Sequence, residues 1–163
     1  MEGVAAGAQT GKAAVYRRWP SKEDLVADAL QAGLPRFEVA PDLGSVREDL
    51  LALCRQARDA MFSRPGFAVR SVIHECDPLQ AERFHAVIFE GIVEPTLALL
   101  GEVIARGIER KEVRPDAANS YVFDAIPAIM MYRSKMRGSE WNDSDIEEMI
   151  DQLMVPLLRP DNG

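Results

Sequence analysis

The stretch "AQTGKAAVYRRWPSKEDLVADAL", residues 8–30, gathers Lys12, Arg17, Arg18 and Lys22 around Tyr16 and Trp19. The chain around it has 163 residues and a net charge of −7. Residues 1–22 hold four basic side chains against Glu2 alone, a net +3, while the remainder holds 15 basic and 25 acidic ones, a net −10. A basic head on an acidic body is the asymmetry of a chain whose one short segment meets a polyanion. Residues 4–8 read as the end of a short helix and residues 11–17 as a second one. Ser21 starts a third, with Asp24 completing a capping box and Pro20 just before it. Short helix, tight turn and short helix, carrying basic and aromatic residues, is the helix-turn-helix layout.

Outward from this segment the helical period dominates and strand alternation is nearly absent. The third helix runs through Leu25, Ala29 and Leu30 to Gly33, and "PRFEVAPDLG", residues 35–44, reads as a linker. From Ser45, the residues Val46, Leu50, Leu53, Cys54, Ala57 and Met61 form one stripe of a long amphipathic helix that "SRPG" at 63–66 ends. A shorter helix spans 67–76. The next spans about 79–110 and is expected to kink at Pro95, which removes an internal hydrogen bond. A helix over 117–137 is apolar almost all round, which predicts burial on more than one face. The last, over 144–158, places Ile146, Met149, Ile150, Leu153, Met154 and Leu157 on one broad face.

Composition agrees with a packed domain: 47% of residues are apolar and 28% charged. No apolar run reaches the roughly 18 residues that cross a bilayer, and no signal-peptide pattern occurs. A cytoplasmic protein with no membrane partner is therefore expected, and Cys54 and Cys76, without CxxC spacing, read as reduced thiols. Glu82 and His85 form a Glu-x-x-His pair, but a carboxylate di-metal site needs two such pairs, and His74 has Ser71 at the matching position. No Gly-rich phosphate loop or nucleophile motif is present, so neither an enzyme, a metal site nor a cofactor is expected.

The segment "VAAGAQTGKAAVYRRWPSKEDLVADAL", and above all "VYRRWPSKEDL", resembles the DNA-binding module of the TetR family of bacterial transcriptional repressors. The resemblance implies an all-α fold: a helix-turn-helix head over residues 1–33 on a ligand-binding and dimerising bundle over 34–163. The family has a further helix before the position of Glu2, so the chain is expected to begin inside the motif. The resemblance sets Gly11, Lys12, Ala13 and Ala14 toward the bases, where small side chains admit the backbone and lysine donates to guanine. It sets Tyr16 and Lys22 toward phosphates and counts Arg17 among the DNA-binding residues, with Ser21 and Lys22 at a helix N-terminus that favours an anion. Trp19 falls where the family buries an aromatic. Gln9 stands where the family's turn carries glycine, Thr10 where an apolar residue is usual and Ala14 where a hydroxyl is usual. A positive φ at residue 9 is thus expected to cost roughly 1 kcal/mol.

The resemblance also implies a small, mostly apolar effector. Its candidate pocket residues are Phe62, Phe67, Val72, Phe84, Ile88, Phe89, Tyr121 and Met130, with Cys54, Arg58 and His85 as polar contacts. A homodimer is expected through the last two helices, centred on Ile126, Ile129, Met149, Ile150, Leu153 and Met154. The function so implied is a ligand-released repressor that binds operator DNA as a dimer. The alternative is a dimeric helical ligand-binding or adaptor protein that does not bind DNA.

Overall fold

The computed structural model describes residues 2–34, 39–75 and 84–160, and the side chains of all of these except 70 and 72–75. Every regular element among them is helical. The head comprises α1 (Glu2–Gly7), α2 (Lys12–Arg18) and α3 (Lys22–Gly33). The body comprises α4 (Val46–Phe62), α5 (Arg64–Glu75), α6 (Glu94–Glu109), α7 (Ser120–Arg137), α8 (Asp143–Met149) and α9 (Val155–Leu158). None of the described helices is long and apolar enough to cross a membrane.

Polar side chains begin the helices as their chemistry requires. Ser21 caps α3, with its Oγ accepting from the Asp24 amide at 3.0 Å and the Asp24 carboxylate accepting from the Ser21 amide at 3.1 Å. Ser45, Asn119 and Asn142 cap α4, α7 and α8 in the same way. Helix ends are less regular. After α1 the Thr10 amide donates to Ala5 O and the Gln9 amide to Ala6 O, a Schellman closure with Gln9 at its left-handed position. Its φ is positive, at 50°, the condition under which a cost relative to glycine is expected. Lys111 closes α6 likewise, with φ 61° and the Glu112 amide donating to Gly107 O.

The main core joins α4, α6, α7, α8 and α9, and Leu50, Val103, Ile104, Ile146, Ile150 and Met154 are fully buried in it. The α4 stripe read from sequence buries Val46, Leu50, Leu53 and Cys54 as expected. Asp49 is buried with them. Its carboxylate accepts from the Leu43 amide at 2.5 Å and from the Arg110 guanidinium at 3.1 Å, and Arg110 also pairs with Asp42. These bonds fasten residues 42 and 43 to the body. A smaller cluster of Leu30, Val69 and Phe84, edged by Leu34, Val87 and Ile88, holds α3 against α5 and residues 84–88.

Before Pro95 the regular α-helical hydrogen bonding is interrupted. Residues 84–88 continue into α6 through a π turn, Phe89–Val93, in which the Glu94 amide donates to Phe89 O. The wider turn takes up the steric load of the ring just ahead of the proline. A second π turn, Ile150–Met154, precedes Pro156 in the same way. The protomer by itself does not cover every apolar face of α7. Val122, Ile126 and Met130 are its buried residues, one stripe at four-residue spacing, while Tyr121, Met131, Tyr132 and Met136 are exposed.

Trp141, between α7 and α8, carries more of the core than any sequence pattern suggests. It is fully buried at φ 57°, and its indole N–H lies 3.1 Å from Met130 O and 2.9 Å from Ser134 Oγ. Burial of so large a side chain offsets a backbone conformation that bulky residues rarely adopt.

Candidate nucleic-acid interface

Ala5 and Val15 are the buried residues of α1 and α2, and the two helices pack together. With Val15 turned inward, α2 presents Lys12, Ala13, Tyr16 and Arg17 outward. Gly11 precedes α2 in an extended conformation, with open space where a Cβ would stand. Lys22 is exposed at the start of α3, and Ala14 is half-buried. Gly11, Lys12, Ala13, Tyr16, Arg17 and Lys22 are therefore brought to one short segment with their side chains or backbone accessible. The capping box places the Asp24 carboxylate at the start of α3, so that terminus already holds an anion of its own.

Several neighbours lie outside the sequence reading. Glu2 Oε1 accepts from Lys12 Nζ at 2.6 Å, and the same ammonium stands 5.9 Å from the Tyr16 ring centre. Arg18 stacks over Trp19 at 4.8 Å. Trp19 is half-buried rather than a core residue, and its indole N–H donates to Asp28 at 2.9 Å. No local spacing rule joins Trp19 to a carboxylate nine positions on. Together Trp19, Asp28, Gln31 and Val87 help line an open cleft of about 380 Å³ where the head meets the body.

The expected effector residues fall in several settings among the described residues. Cys54 and Met130 lie in the main core, with Phe62 packed against it. Phe84 and Ile88 belong to the separate cluster around Leu30 and Val69. Phe67, Phe89, Tyr121 and His85 are exposed, and Val72 lies outside the described side chains, as Cys76 and Glu82 lie outside the described residues. Arg58 is a strap rather than a pocket cation. It pairs with Asp59 at 2.8 Å and Asp143 at 2.5 Å and donates to Trp141 O at 3.2 Å, tying α4 to α8. The Asp143 carboxyl is held below its ordinary value, first by that hydrogen bond from Arg58. Burial alone pushes the Cys54 thiol up to about 12, so it is neither a nucleophile nor a thiolate ligand near neutrality.

Of the expected dimer centre, Ile126, Met149, Ile150 and Met154 are buried in the protomer's own core, and Ile129 and Leu153 pack against it half-buried. The first four are turned into one chain's interior, while Ile129 and Leu153 keep part of their surface accessible.

Two short packed helices with an accessible cationic surface, set on a separate helical core, define a helix-turn-helix regulator with a body of its own. Residues 1–29 match the bacterial regulatory proteins of the tetR family, and residues 40–153 match the tetracyclin repressor-like C-terminal domain. The chain belongs to the TetR family of transcriptional regulators, which are DNA-binding transcription factors and not enzymes. It is 28% identical to an uncharacterized HTH-type transcriptional regulator of Mycobacterium tuberculosis over 167 residues, covering 100% of this chain and 79% of that one. It is 27% identical to the DNA-binding transcriptional repressor TetR of Mycobacteroides abscessus over 161 residues, covering 98% of this chain and 83% of that one. An uncharacterized HTH-type transcriptional regulator of Bacillus subtilis, YdeS, is 25% identical over 153 residues, covering 92% and 75%.

Proposed function

We propose that this protein represses transcription by binding operator DNA as a homodimer through α2 and the start of α3, and that a small, mostly apolar effector releases it. The observation that carries the reading is the accessible set Lys12, Tyr16, Arg17 and Lys22, concentrated in a basic segment of an acidic chain. Tyr16, Arg17 and Lys22 contact phosphates and fix register, while Lys12 and the small residues beside it approach base edges. The repressor named in Mycobacteroides abscessus supports the sign of regulation. Dimerisation is supported by the outer face of α7, where Tyr121, Met131, Tyr132 and Met136 leave apolar surface uncovered. The effector reading rests on the match of residues 40–153 to the family's C-terminal domain.

Selection of duplexes from a random pool, followed by fluorescence anisotropy on the selected DNA, tests this. Tyr16→Phe and Lys22→Ala weaken binding across sequences, and Lys22→Ala lowers the salt slope by about one. Lys12→Ala changes which sequence is preferred. Parent-like binding by all three variants would remove the head from the account.

A further inference from the structure

We infer that Glu2 is a specificity-determining residue of the head, which holds Lys12 back from DNA that offers it only phosphate. This rests on the reading of α2 as the DNA-contacting helix. Lys12 Nζ and Glu2 Oε1 stand 2.6 Å apart, bridging α1 and the first residue of α2. Both side chains are more than half exposed, so the pair sits on the accessible surface and not in the packing between helices. The Tyr16 ring lies under the same ammonium, which fixes Lys12 between a carboxylate and an aromatic face. Glu2 is the one acidic residue among the first 22, and no other cation of the head shows an ion pair among the described residues.

An exposed pair is weak, equivalent to roughly 1.5- to 5-fold in an equilibrium constant. That is enough to matter for one contact. On DNA of the wrong sequence, Lys12 would exchange a carboxylate for a phosphate and gain little. On the right sequence, it exchanges the carboxylate for guanine acceptors already set in place by the other phosphate contacts. The carboxylate also faces the phosphate field, which disfavours every duplex. A group that penalises all partners, but the correct one least, raises discrimination at some expense of affinity.

The test compares Glu2→Gln with the parent on two fluorescein-labelled duplexes, one of mixed sequence and one selected by the parent, each in parental and Lys12→Ala backgrounds. Glu2→Gln strengthens binding to mixed DNA by roughly two- to fivefold, steepens its salt slope by about one, and strengthens binding to the selected duplex less. In the Lys12→Ala background most of that difference disappears. Equal gains on both duplexes, a gain undiminished without Lys12, no gain or a loss would each overturn the proposal. A DNA-free arm follows the Lys12 and Lys22 side-chain resonances by NMR. Glu2→Gln shifts those of Lys12 and leaves those of Lys22 in place. Unmoved Lys12 resonances would show that the pair does not form, whatever the DNA result. A shift without binding of either duplex by any form would instead strike the DNA reading itself, and the proposal with it.

Discussion

At the scale of the residue, Gln9 occupies a position that glycine suits better. With φ at 50° it carries a side chain into the left-handed region, where the Cβ is penalised. Gln9→Gly is expected to stabilise the head by about 1 kcal/mol, partly offset by the greater freedom of glycine in the unfolded chain. The midpoint of urea unfolding checks it, and a lower midpoint would contradict it. Cys54 makes a second case, one that depends on pH. Its thiol is pushed up to about 12 by burial, whereas an unfolded thiol titrates near about 8.5. Above about pH 9 the unfolded chain gives up a proton that the folded chain keeps, so the unfolded state binds fewer protons and stability falls as pH rises. The parent should therefore lose stability relative to Cys54→Ala by about 1.4 kcal/mol per unit between about pH 9 and 12. Parallel profiles would show that the thiol is not shielded.

At the scale of the element, the corner between α4 and α5 rests on Gly66. A Cβ there would lie 2.2 Å from Ala60 O and 2.5 Å from Met61 O, both backbone atoms that a rotamer change cannot move. Ser63 completes the corner by donating to Ala60 O and accepting from the Gly66 amide. Gly66→Ala should destabilise by about 1–3 kcal/mol. Gly101→Ala, in the middle of α6 with open space around the new methyl, should stabilise by about 0.5–1 kcal/mol. Thermal melts of the two variants should move in opposite directions, and a shared direction would contradict the geometry. Elements such as α3 and α4 were legible in the sequence because their causes are local: Ser21 and Asp24 are three apart, and the α4 stripe repeats every three or four positions. Trp141, Asp49 and the π turn before Pro95 were not. The partners of Asp49 include Arg110, 61 residues away, and no periodic rule reaches that far. The apolar pattern of α7 recorded that several faces avoid water without recording which of them its own chain would cover.

At the scale of the whole molecule, that distinction bears on where the proposed dimer would form its contact. Ile150 is fully buried and Tyr132 is exposed, so their substitution by glutamate separates folding from assembly. Ile150→Glu should unfold the body, since an unpaired charge in the core is expelled only by opening it. Tyr132→Glu should keep the helical content and sediment as a monomer of 18.1 kDa, where the parent sediments at twice that mass. A monomeric parent at micromolar concentration would sink the dimer and the mechanism that needs two heads. The expected effector residues fall in different settings because helical stripes show what is buried, not whether core or cavity lies behind it. The head was the better-read half because its basic and aromatic residues fall within one short segment, which the fold leaves at the surface. A hydroxyl-radical footprint of the parent on its selected duplex tests the central claim most directly. Two protected patches about one helical turn apart, about 10–10.5 base pairs, are the expected result, each weakened alike by Lys22→Ala. Uniform cleavage along the duplex, or a single patch indifferent to that substitution, would contradict it.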